Sequence, residues 1–171
     1  SDFFTHYTTE GEGHGISGRI WNRWAPILWS YSESKNDAQG SSTFSHSEDA
    51  TFTAQTSSKR VNGESRLNYL RQEFSRDIDG RLINAGWRQV AVLSDNTLYG
   101  ATDRGSLNSL AQFTSQKGID YRSQNMSVSE STGYRLSDVW AAFSAYGFSW
   151  YEEDGSDSQN HHANAGVSHQ L

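Results

Sequence analysis

The sequence predicts a single α+β domain, an antiparallel or mixed sheet with one long amphipathic helix packed on a face. Three observations predict it. Leu67, Leu70, Phe74, Ile78 and Leu82 recur at spacings of three, four, four and four, which lays an apolar stripe along a helix over about 64–84. Gly86 closes that helix, and Trp87–Leu93 reads as a strand. Between Thr43 and Thr56, Phe44, His46, Ala50, Phe52 and Ala54 share one parity, with Ser and Thr on the other and Glu48 as the exception. That alternation is the mark of a half-exposed strand.

The remaining elements follow in chain order. Residues 1–15 place glycines at alternate positions, Gly11, Gly13 and Gly15, and read as a flexible arm. Ile16–Tyr31 is the most apolar stretch and holds the only proline, Pro26, so it reads as extended and bent there. Ser32–Ser42 is a polar loop and Lys59–Gly63 a turn. Leu107, Leu110 and Phe113 behind Asp103 or Ser106 predict a short helix near 105–117. Ile119–Ser129 alternates as a weak edge strand. Tyr134–Tyr151 fits helical spacing and strand composition alike, and its Gly147 and aromatic density favour the strand. The last segment, 152–171, reads as a mobile acidic and histidine-bearing tail.

Composition limits the function classes. A chain of 171 residues suits one domain, 1–171, and its 13% aromatic content argues for a folded chain despite the low hydrophobic fraction of 34%. A net charge of −6 gives no footprint for nucleic acid. Without cysteine there is no disulfide framework, thiolate metal site or cysteine nucleophile. No apolar run reaches the roughly 18–20 residues of a membrane helix, so no membrane span is expected. The sequence opens on Ser1-Asp2 without a charged and apolar leader, so a signal peptide is expected to be either absent or already removed, and the compartment stays open.

Catalytic patterns are lacking. Gly15-Ile16-Ser17-Gly18 is one residue short of a nucleophile elbow, and the glycines at 11–15 lack the Lys-Ser/Thr pair of a phosphate loop. The leading candidates are therefore the aromatics Trp21, Trp24, Trp29 and Tyr31, with Arg23 beside them for cation–π contact. They suggest a non-enzymatic binding or structural module that contacts a protein or glycan partner, or a second copy of itself. The alternative is a small glycosidic or metal-assisted hydrolase. Glu153, His161 and His162 carry the right ligand types for a divalent metal, although adjacent histidines point to opposite sides of a strand. No cofactor is otherwise expected.

Ala165-Gly166-Val167-Ser168-His169-Gln170-Leu171 resembles the closing strand of small outer-membrane β-barrels, and abundant serine without cysteine agrees. The long helix weighs against it, because lipid-facing spans are barrel strands or continuous apolar helices. Asp95-Asn96-Thr97-Leu98-Tyr99 echoes a lectin phrase, with no repeat behind it. Neither covers enough of the chain to assign a family.

Overall fold

The computed structural model describes residues 8–21, 26–40, 43–100, 104–118 and 121–169. They form nine strands: β1 (Thr8–Ile20), β2 (Ile27–Gln39), β3 (Thr43–Ser57), β4 (Val61–Ile78), β5 (Arg81–Tyr99), β6 (Gly105–Gly118), β7 (Arg122–Arg135), β8 (Trp140–Glu153) and β9 (Ser156–His169). Every strand pairs antiparallel with its sequence neighbours, in the order β1 to β9, so the sheet is one continuous meander. β1 and β9 form its edges.

The predicted α+β class is therefore corrected to all-β. Among the described residues there is no helix. The segment read as the long helix is the body of β4, a two-residue turn and the start of β5. The error has a simple cause. A spacing of four is also two strand periods, so Leu70, Phe74 and Ile78 line one face of an extended chain as well as one face of a helix. Asp79 and Gly80 decide between the two. Both have positive φ, 53° and 76°, the combination of a type I′ hairpin turn, for which Asp-Gly is favoured. Gly80 N–H donates to Asp77 Oδ1 at 2.8 Å, fixing the turn further. The predicted short helix near 105–117 is likewise strand β6, paired along its length with β5 and β7.

Other segments take the following places. Of the predicted N-terminal arm, Thr8–Gly15 lies in β1, paired with Ser32–Gln39 of β2, so the predicted polar loop over 32–42 is largely strand. Residues 156–169 of the predicted tail form β9, paired with β8 through a second Asp-Gly turn at Asp154 and Gly155. The ambiguous stretch 134–151 divides between the end of β7, a short connection and β8.

Two physical features set this sheet apart from a compact domain with layers packed on each other. Its strands run from 13 to 19 residues, well beyond the usual 3–10 of globular proteins. It also has a single layer: among the described residues no large side chain is fully buried. The accessible surface is 12430 Å², whereas a compact monomer of 19.1 kDa exposes about 8,400 Å². The sheet does not bury an apolar core against itself.

Candidate functional site

The register sorts the side chains onto two faces of opposite character. Paired residues share a face, so a row can be followed across the sheet. One row runs Ile16, Tyr31, Phe52, Leu67, Leu93, Ala111, Val128, Phe148 and His161. Eight of its nine members are apolar or aromatic. The residues beside them in the chain form a row on the opposite face: Gly15, Ser32, Thr51, Asn68, Val92, Gln112, Ser127, Ser149 and Asn160. Eight of those nine are polar or glycine. Seven of the nine strands thus change from apolar to polar or glycine in one step, the exceptions being Leu93–Val92 of β5 and His161–Asn160 of β9.

The apolar face forms a band bounded by aromatics. On β8, Trp140 and Trp150 stand ten residues apart on this face, with Ala142, Tyr146 and Phe148 between them. At about 3.4 Å per residue, they are roughly 34 Å apart along the strand. Tyr99 and Tyr134, with ring centroids 6.4 Å apart, stand near the Trp140 end. Phe113 and Tyr69 stand near the Trp150 end, in the same row as Trp150. Much of this surface meets solvent: Leu67 is 42% exposed, Tyr146 43% and Val167 60%.

Beyond the Trp150 boundary the same face becomes charged. Glu12, Lys35, Glu48 and Arg71 are paired in one row, and Glu10, Asp37, His46 and Glu73 in the next. His46 lies between two carboxylates, with Nδ1 2.5 Å from Asp37 and Nε2 3.4 Å from Glu48. Those hydrogen bonds, Asp37 first and Glu48 second, raise its pKa above the ordinary imidazole value. Lys35 reaches both Glu33 and Glu48, at 3.8 and 3.9 Å.

The predicted site residues are spread over this sheet. Trp29 and Tyr31 point to the apolar face from β2, and the Tyr31 hydroxyl donates to Glu33 at 3.0 Å. Trp21 follows β1, is 75% exposed and lies under the Arg19 guanidinium at 5.3 Å. Trp24 and Arg23 lie outside the described residues. His161 and His162 lie on opposite faces. His161 packs on Phe148 with centroids 4.7 Å apart and hydrogen-bonds Tyr146 at 3.0 Å, while His162 covers Gly147 on the polar side. Glu153 lies several residues further along β8 and accepts from the Tyr151 hydroxyl at 2.7 Å. The three predicted metal ligands are not brought together, and among the described residues no group of three His, Asp or Glu is placed to hold a metal ion. The residues missed by sequence reasoning are the apolar row members Phe52, Leu67, Leu93 and Phe148. Alternation along β3, β4 and β8 is the signal that marks Phe52, Leu67 and Phe148, whereas Leu93 ends the apolar run Val90–Leu93 and is placed only by its register.

No protein-family model matches the chain, and no curated protein matches it in sequence. Among solved structures it is similar to the β domain of the Bordetella autotransporter BrkA, at 12% identity and a TM-score of 0.36, over 98% of this chain and 79% of that one. A likeness at that score carries no argument about fold or function.

Proposed function

We propose that the chain is a membrane-spanning wall of a β-barrel, with its apolar face against lipid and its Ser/Gly/Asn face toward an aqueous interior. The observation that carries this is the one-step alternation of an apolar row with a polar row on seven of the nine strands, in a sheet that buries no core of its own among the described residues. Folding in water would leave the apolar face uncovered, whereas acyl chains would cover it; β2 to β8 satisfy their backbone groups laterally, and the outer edges of β1 and β9 need the rest of a closed wall to do the same. Height supports the same reading: a transmembrane barrel presents an outward band of about 25 Å between aromatic girdles, and at the usual barrel tilt of ~40° the Trp140–Trp150 separation becomes roughly 26 Å in height. The connections also differ between the two ends. Those after β2, β4, β6 and β8 have three, two, three and two residues, and those after β1, β3, β5 and β7 have six, three, five and four. Short turns at one end and longer loops at the other are usual for such barrels.

The objection drawn from a long helix falls with that helix. Among the described residues no helix is long and apolar enough to cross a membrane, which says nothing of strands. The structural module is retained, and the sequence expectation is departed from in two respects, with lipid in place of a protein or glycan partner and membrane-spanning strands in place of no membrane span.

The test is refolding from urea into buffer and into phosphatidylcholine vesicles. With vesicles, the chain should gain β circular dichroism, its tryptophan emission should shift to the blue, and lipids brominated on the acyl chain should quench it. Cooperative folding as a lipid-free monomer with no partitioning into vesicles would overturn the proposal.

A further inference from the structure

The two faces also divide the charge, and in opposite senses. On the polar face the strands carry six arginines, Arg19, Arg66, Arg76, Arg81, Arg88 and Arg135. Against them stand three carboxylates, Asp49, Glu64 and Glu153, a balance of +3. The strands' other face carries 11 carboxylates and four cationic residues, a balance of −7. A chain of net charge −6 thus keeps a positive excess on one side only.

From this we infer that the polar face lines a water-filled conduit that favours small anions over cations, an inference resting on the barrel reading above. Size permits an open lumen. β1 and β9 are edges that run in the same direction, and a barrel wall of nine or more strands at ~40° tilt has a backbone radius of about 9 Å or more. Serine and glycine occupy little of it, as in the segments Gly11, Gly13, Gly15 of β1, Ser30, Ser32, Ser34 of β2 and Ser127, Ser129, Ser131 of β7. An arginine reaches most of the way to the axis from such a wall. Arg66 on β4 lies within the height of the band, in the row of Gly147, and Arg88 on the neighbouring β5 lies just beyond the Trp150 boundary, in the row of Glu153; both are exposed, and Arg66 donates to Asn68 at 3.1 Å. Asp49 and Glu64 are partly occupied in local hydrogen bonds, Asp49 with Ser34 and Glu64 with the Gln55 amide at 2.8 Å. Within a low-dielectric sleeve a small excess of fixed charge governs which ion enters, and arginine selects anions.

The experiment is reversal-potential measurement in planar bilayers holding the full chain under a tenfold potassium chloride gradient, with bromolipid quenching of tryptophan as a separate record of insertion. Chloride should permeate more readily than potassium by at least about twofold. Arg66→Gln with Arg88→Gln should bring the ratio to one or below, and Lys35→Gln on the opposite face should leave it unchanged. Quenched, inserted protein with no conductance overturns the conduit while leaving the membrane reading intact, as does a conductance that favours potassium or neither ion. Absence of quenching removes both.

Discussion

The indole of Trp29 on β2 covers Gly18, its directly paired neighbour on β1: a Cβ at Gly18 would come within 2.8 Å of ring atoms Cε2 and Cζ2. Tyr99 over Gly105 and Phe143 over Gly166 repeat the arrangement at paired positions elsewhere in the sheet. A ring laid on a cross-strand glycine shields backbone and adds contact area without a second side chain. In β1, an edge strand, it is a main source of side-chain contact. Gly18→Val should therefore push Trp29 away and cost about 1–3 kcal/mol. Urea unfolding in vesicles, followed by far-ultraviolet dichroism, would measure the loss. An unchanged midpoint would show that the ring does not hold the edge.

The turn at Asp79 and Gly80 gives a cleaner backbone experiment. Gly80 has a φ of 76°, and no atom lies within 4 Å of where its Cβ would stand. Gly80→Ala is thus free of steric conflict with neighbours, and any cost comes from the left-handed backbone, about 1 kcal/mol. Gly86 is the contrasting case: its φ is 137°, and a Cβ there would collide with the Lys117 carbonyl oxygen. Gly86→Ala should be the more damaging of the two, by the same unfolding measurement. Equal effects would mean that the register shift beside Gly86, between Phe74 and Ser75, absorbs the added atom.

What the sequence conceals in these segments is a matter of arithmetic. Leu70, Phe74 and Ile78 at spacings of four satisfy a helix and a strand together, and Leu67 at a spacing of three tips the count toward the helix. In the sheet Leu67 faces the apolar side and Leu70 the polar side. The Asp79-Gly80 pair was legible as a hairpin turn, and it lies in the middle of the supposed helix. By contrast, β3 alternates so cleanly from Phe44 to Thr56 that its strand is readable directly. The site itself was half legible: Trp29 and Tyr31 are in the apolar band, but membership of the band depends on register between strands far apart in sequence. His161 and His162 show the converse, since adjacent strand residues diverge to opposite faces whatever their chemistry.

His46 sits on the charged margin, outside the apolar band, where Asp37 and Glu48 raise its pKa. A histidine whose folded pKa exceeds its unfolded value of about 6.5 contributes stability that is fully present below that unfolded value. The contribution is lost as pH rises through the folded pKa. The midpoint of its imidazole resonances, followed by NMR in micelles, should therefore lie above 6.5, and Asp37→Asn should lower it. A wild-type midpoint at or below the free imidazole value would rule out the ion pair as a determinant of the margin.

Two carboxylates interrupt the apolar band, and they are not equivalent. Asp95 and Glu130 belong to one row, which runs Ser65, Asp95, Ser109, Glu130 and Tyr146. Asp95 accepts hydrogen bonds from the Ser65 hydroxyl and, at 2.9 Å, from the Thr97 hydroxyl. Glu130 is exposed on the face assigned to lipid. An ionisable group there is costly in a bilayer, by less than an arginine or lysine at the midplane, and removing it returns that cost. Glu130→Leu should stabilise the vesicle-embedded chain by about 1–2 kcal/mol. Asp95→Leu should gain less, because it leaves the Ser65 and Thr97 hydroxyls without their acceptor. Urea titration in vesicles compares the two. If Glu130→Leu instead destabilises the embedded chain, this row faces water or protein, and the lipid-facing band has to be drawn without it.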